Sequence, residues 1–421
     1  MSKKIKLPQN HIKVLVEFYD KEQENKLLAY PTNKQIKEIV HNGIEVPTEE
    51  FLTYYLFYRK RPGKPGYRDY DEIGEKIGKS LSDLEDFINF NGNSISTPED
   101  VGEQDIHITE RVGESVGLSV INRIHGISAA DWERIKKGDG IKIFDYGIAS
   151  DGKSIIQVET KGSSIDNNDS HPSTVSNHKS SIISKKAKIA ELESERAYPY
   201  PANLRYGTIT VLDNRLNSTV KCLLVDPPPV LDKTPPAKLR LINRMQFLQD
   251  WISFISPRSQ LATALSTRIA DIEALSNPFE LDNVPLMKGT GEPFEPILSP
   301  SGTGYTLNFL SGKSHVMDET SSGIVIQMSK DTLFFLGIMD EISILAAKQD
   351  FESIISYKAL TGIIPKAVQC VFHKKRFERL NLPNWVKKEA KKSGDYSSFN
   401  LKGELMYNQD GLVFGILPME A

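Results

Sequence analysis

The stretch IKIFDYGIASDGKSIIQVETKG, residues 141–162, decides how the rest of this chain is read. Two runs with strand character flank Asp151-Gly152, a dipeptide that favours a hairpin turn. Side chains alternate faces along a strand, so Gln157, Glu159 and Lys161 point one way, and Ile156, Val158 and Thr160 point into a core. Asp145 lies on the partner strand. Register then makes a demand. A two-residue loop sets Asp145 opposite Val158, with the two carboxylates on different faces. A three-residue loop, or one bulge, sets Asp145 opposite Glu159, and a working site requires this second arrangement.

Two carboxylates on one face repel unless a cation sits between them. Mg²⁺ or Mn²⁺ suits such oxygen ligands and keeps several waters. Asp145, Glu159 and the backbone carbonyl of Thr160 are the candidate metal ligands. Phosphodiester hydrolysis needs a metal-activated water and charge stabilisation on the phosphoryl oxygens, and Lys161 is suited to the second task.

This pattern resembles the PD-(D/E)xK nuclease superfamily, whose signature is an aspartate on one strand and Glu-x-Lys on its hairpin partner. Asp145, Glu159 and Lys161 match it, with Phe144 where the family often has proline. The resemblance covers about residues 109–225. It implies an α/β restriction-endonuclease-like core, a central mixed sheet flanked by helices. It also implies a catalytic glutamate on the preceding helix, for which Glu114 fits best and Glu110 is the alternative. The family's first strand is hard to place between Asn122 and Ile141. Two other Glu-x-Lys triplets, at Glu24 and Glu389, stand in polar surroundings without a strand or an upstream aspartate.

The remaining chain is organised around this core. Residues 1–108 read as a helical N-terminal domain, because HIKVLVEFYD, NKQIKEIVHNG and EEFLTYYLFYRK place apolar residues three and four apart. Tyr54, Tyr55, Phe57 and Tyr58 read as core. Within 109–225, Thr109 can cap a helix that stops at Gly126, and AADWERIKK reads as a short helix. Asn177 can cap the helix HKSSIISKKAKIAELESE, and RYGTITVLDN and STVKCLLVD read as strands. Residues 226–236 form a proline-rich linker. Residues 237–421 read as an α+β recognition or oligomerisation domain. Its helices fall over 238–275 and over TLFFLGIMDEISILAAKQDFESIISYKAL, with short strands at GYTLNFL and GIVIQMS.

Composition narrows the function classes. Two cysteines in 421 residues, Cys222 and Cys370, exclude a disulfide framework and a four-cysteine zinc site, and they suit the cytoplasm. No apolar run approaches the ~20 residues that span a bilayer. The basic start MSKKIKLPQNH has no apolar core behind it, unlike a secretory signal. A formal charge of -3 gives no global attraction to nucleic acid, so any polyanion site is a local patch. One candidate patch is the helix after the hairpin, with His178, Lys179, Lys185 and Lys186 as nucleic-acid contacts. The other is the basic run HKKRFERLNLPNWVKKEAKK near the C-terminus. SGTGYTLNFLSGKS fails as a phosphate loop because Leu307 stands where glycine is needed. His125 reads as a buried, hydrogen-bonded histidine.

The expectation is therefore a Mg²⁺- or Mn²⁺-dependent endonuclease acting on double-stranded DNA. Its resemblance implies restriction or anti-phage defence, in a homodimer or with a defence-complex partner and without a membrane. Residues 250–275 or 331–360 could supply the apolar dimer interface. The alternative is a catalytically inactive nucleic-acid-binding or assembly protein that retains the fold.

Overall fold

The computed structural model describes residues 11–57, 70–98, 106–133, 144, 146–165, 172–195, 198, 200, 202–215, 218–225, 235–255, 260–287, 314–317 and 320–419. Asp145 lies outside them, as do GYTLNFL and residues 226–234 of the linker. The described residues form a mixed α/β protein of two compact units. One contains residues 11–57 and 81–243, the other 70–80 and 244–419.

The first unit begins with strand β1 (His11–Phe18), helices α1 (Lys21–Leu27) and α2 (Asn33–Asn42), strand β2 (Ile44–Pro47) and helix α3 (Thr48–Phe57). Helix α4 (Tyr70–Phe87), of which only residues 81–87 belong to this unit, and the small hairpin β3 (Asn89–Asn91) and β4 (Ser94–Ser96) follow. Next come helix α5 (Ile106–His125), strands β5 (Trp132–Glu133), β6 (Tyr146–Ser150) and β7 (Ile155–Ile165), and helix α6 (Ser173–Ser194). Strands β8 (Leu204–Asp213) and β9 (Val220–Val225) complete it. Its seven-stranded sheet has the order β2-β1-β9-β8-β7-β6-β5. The pairs β1–β9 and β7–β8 are parallel and the others antiparallel.

Two sequence expectations are corrected here. HIKVLVEFYD is a strand, not a helix: Ile12, Val14 and Val16 are buried, and Lys13 and Glu17 are not. Its apolar residues fit both periods, and parallel pairing with β9 selects period two. The first residues therefore enter the same sheet as 204–225 instead of forming a separate helical domain. Tyr54, Tyr55 and Phe57 are core, as read; Tyr58 lies outside the described residues.

AADWERIKK is likewise not an α-helix over its described part. Ala129–Asp131 is a single 3₁₀ turn, closed by the Asp131 carboxylate accepting from the Ser128 N–H at 3.0 Å. Trp132 then enters β5 opposite Ala149. Its indole N–H donates to Asn122 Oδ1 at 2.9 Å. Asn122 also donates to Glu50 and to the Tyr54 hydroxyl, so one side chain ties α3, α5 and β5 together.

Helices cover both faces of the sheet. Even positions of β7 and β8 face α5: Thr160 and Thr208 lie against Gly117, and the Thr210 hydroxyl donates to the Gly113 carbonyl. Odd positions face α6, where Ile182 meets Gly207 in a cluster with Ile165, Ile209 and Val211. Gly126, at φ +63°, ends α5 as expected.

In the second unit, helices α7 (Pro236–Ile255) and α8 (Gln260–Ala274) agree with the reading of 238–275 as helix; α7 starts in the first unit. Strands β10 (Ser314–Met317), β11 (Ser321–Ser329) and β12 (Thr332–Met339), helices α9 (Asp340–Lys348) and α10 (Phe351–Ser356), and strand β13 (Gly362–His373) follow. Helices α11 (Lys374–Arg379) and α12 (Asn384–Glu389) and strands β14 (Lys391–Ser393), β15 (Tyr396–Tyr407) and β16 (Leu412–Pro418) end the chain. Strand β13 pairs with both β10 and β15, so the antiparallel ring β13-β10-β11-β12-β16-β15 closes on itself. Its core includes Leu333, Phe335, Val368, Cys370 and Leu405.

The long helix expected over 332–360 is thus a strand and two short helices. TLFFLGIM is apolar on both faces, and periodicity cannot separate such a run from a buried helix. Among the described residues, no helix is long and apolar enough to cross a membrane.

Candidate functional site

The loop joining β6 to β7 has four residues, 151–154, not two. It pairs Ser150 with Ile155, Ala149 with Ile156 and Ile148 with Gln157. A bulge then shifts the register by one residue, and Tyr146 pairs with Val158. Phe144, beside Asp145 in sequence, is fully buried with Ile189 and Tyr198.

Glu159 is fully buried on the α6 face of β7. Lys161 Nζ lies 2.7 Å from its Oε1, and Lys185 Nζ, from α6, lies 2.8 Å from the same oxygen. Both lysine side chains are about one-fifth exposed, at 21% and 18%. Two ammonium groups, one from β7 and one from α6, thus share a single buried carboxylate oxygen. His178 adjoins this cluster. Burial and the Lys161 charge lower its pKa, partly opposed by its hydrogen bond to the Gly162 backbone and by Glu110. The net direction favours the neutral imidazole.

The other expected residues fall as follows. Glu114 is buried on α5, which packs against the opposite face of β7. Glu110 is half-buried, 3.9 Å from His107. The Thr160 side chain faces α5, so only its backbone is available to a ligand on the other face. Among the described residues, no three His, Cys, Asp or Glu side chains gather as a metal site.

The helix α6 starts at Ser173, not Asn177, which puts His178 and Lys179 in its second turn instead of at its N-terminus. Lys179 is bound to Asp20 at 2.5 Å and lies over the Tyr19 ring. Lys186 is buried. Lys179 and Lys185 thus each hold a carboxylate of the protein while staying about one-fifth exposed, and Lys186 alone is buried. Lys185 as a second partner of Glu159 was missed. The available signal was its spacing of seven from His178, which places both on one helix face.

A second buried polar chain was only half legible. His125, fully buried as read, has Nδ1 3.0 Å from Asp151 Oδ2 and Nε2 3.0 Å from the Tyr206 hydroxyl. Asp151 also accepts from the Lys153 and Ser154 N–H groups. Burial pushes the Asp151 carboxyl up, but these bonds outweigh it and its pKa is lowered. A depressed carboxyl contributes stability above its unfolded value, about 3.9, and loses it as pH falls through the folded value. Asp151→Asn should therefore flatten the fall in stability below about pH 4. Urea unfolding between pH 7 and pH 3 measures this, and equal acid sensitivity in both proteins would refute it.

Comparison with protein-family models, with curated proteins and with solved structures gives no match.

Proposed function

We propose that this chain is a metal-dependent nuclease that hydrolyses phosphodiester bonds of DNA. The observation that carries the reading is the pair Glu159 and Lys161, side by side on one face of β7. The order of elements around it supports the same reading. A helix (α5), three antiparallel strands (β5, β6, β7), a helix (α6) and a strand parallel to β7 (β8) follow one another in the chain. That is the order implied by the resemblance to restriction-endonuclease-like cores, and β5 supplies a first strand. The bulge in β6 also supports it, because the shifted register is the one a shared carboxylate site requires.

The donors fit a hard cation: Glu159, Asp145 and the Thr160 carbonyl offer oxygen alone, which suits Mg²⁺ or Mn²⁺. When bound, the ion supplies a water activated for attack on phosphorus. The protein's own residues do the rest. Lys161 stabilises the charge that develops on the phosphoryl oxygens, and Lys185 holds the Glu159 carboxylate in place. Burial of Glu159 keeps that carboxylate in one rotamer, so its geometry is set before substrate arrives. The second reading, an inactive nucleic-acid-binding or assembly protein, draws on the two lysines that already satisfy Glu159.

Plasmid and oligonucleotide cleavage with Mg²⁺ or Mn²⁺, with and without chelator, separates the two. The nuclease reading expects cleavage that stops in chelator and in Asp145→Ala. Cleavage that persists in both sinks the site assignment, and no cleavage under any condition favours the inactive protein.

A further inference from the structure

Between Lys374 and Asp395 the chain carries eight lysines and arginines against three carboxylates, an excess of five positive charges in a protein of net charge -3. The structure determines how they are displayed. Phe377, Leu382 and Val386 are buried in the barrel core, which pins α11 and α12 to the end of the barrel. Their cations point outward. Lys374, Lys375 and Arg379 on α11, Lys387 and Lys388 on α12, and Lys391 and Lys392 on the edge strand β14 are all exposed. Among the described residues none of these seven has a carboxylate within 4.0 Å. The Lys374 N–H donates to the Asp395 carbonyl at 2.7 Å, which joins α11 to the β14–β15 turn and makes one continuous surface.

We propose that this end of the barrel is a docking surface for the phosphate backbone of nucleic acid. Unpaired cations on a fixed scaffold bind polyanions by releasing condensed counterions, and the pinned helices make the spacing of these charges constant. An exposed aromatic ring lies within the patch: Tyr396, 37% exposed, stands edge-on to His373. Trp385, the other aromatic ring between α11 and β14 besides Phe377, is partly buried against the core and donates to the Met419 carbonyl. A membrane fits less well, because the exposed Leu360 and Ile364 lie at the far end of β13 from His373 and leave the patch without an apolar anchor.

This inference rests on the reading of nucleic acid as substrate, and its test is independent of cleavage. The full-length protein is titrated with a fluorescent DNA duplex and with the corresponding single strand in excess chelator, across a range of salt. The variant K387E/K388E/K391E/K392E should bind at least about tenfold more weakly at low salt. Its slope of log affinity against log salt on the duplex should be shallower by about 3.6, since each of the four lost phosphate contacts removes about 0.9. K387R/K388R/K391R/K392R should bind as the unaltered protein does. The charge reversal K34E/K37E, in α2, serves as control, and thermal melting verifies that each variant is folded. Unchanged affinity and slope overturn the proposal, as does failure of the unaltered protein to bind either DNA. Loss of binding to phosphatidylserine vesicles without loss of DNA binding also overturns it. Binding with no cleavage in Mg²⁺ leaves this surface standing and removes only the nuclease reading.

Discussion

If the chain is the nuclease proposed above, Lys161→Ala is expected to lower phosphodiester cleavage by about two to three orders of magnitude and to leave the protein folded. The size follows from what one preorganised charge contributes to a transition state, a factor of about 10²–10³. The fold survives because Glu159 keeps its second partner, Lys185, at 2.8 Å. Removing the carboxylate would be a poorer experiment. Glu159→Ala leaves two ammonium groups without their buried counter-charge, and breaking a buried pair this way costs about 3–5 kcal/mol. Lost activity would then report unfolding. The informative set is Lys161→Ala, Lys161→Arg and Lys185→Ala, each with a rate and a melting temperature. Retention of more than a tenth of the rate in Lys161→Ala would show that the lysine is only a structural partner of Glu159.

Gly162→Ala is expected to destabilise the protein by about 3 kcal/mol, at the upper end of ordinary overpacking. A Cβ at Gly162 would lie 1.9 Å from the Thr109 carbonyl oxygen. That oxygen belongs to the first turn of α5 and cannot yield unless the helix lifts off β7. Gly113 makes the reciprocal contact, its Cβ falling 2.6 Å from the Gly162 Cα. The two substitutions open the same gap, so Gly113→Ala combined with Gly162→Ala should cost less than the sum. Gly78→Ala in α4 is the control. Its nearest neighbour would be the Met328 methyl at 3.7 Å, and helix propensity favours alanine there. Urea unfolding of the unaltered protein and the four variants measures all three effects; a neutral Gly162→Ala would mean that α5 does not press on β7 as described.

Much of the site was written locally. Alternation along IIQVETKG put Glu159 and Lys161 on one face, and the decoys at Glu24 and Glu389 proved to be exposed or paired with near neighbours. The need for a bulge could be deduced because a two-period strand permits only two choices of face. The strand β5 could not be found. β5 is two residues long, and its membership of the sheet depends on Trp132 reaching Asn122, ten residues back.

By itself, the sequence determined what is periodic or compositional: β7 with its Glu-x-Lys, α5 and its glycine stop, the helices over 238–275, and the scarcity of cysteine. These properties depend on neighbours within a few residues, where steric and solvation preferences act directly on the chain. Only the tertiary structure decided that His11–Phe18 is a strand between β2 and β9, that β13 closes a barrel, and that Lys185 joins Lys161 on Glu159. Each of these is a choice of partner across a long stretch of chain. Such a choice is made by the burial and pairing available once the sheet exists, and no local pattern encodes it.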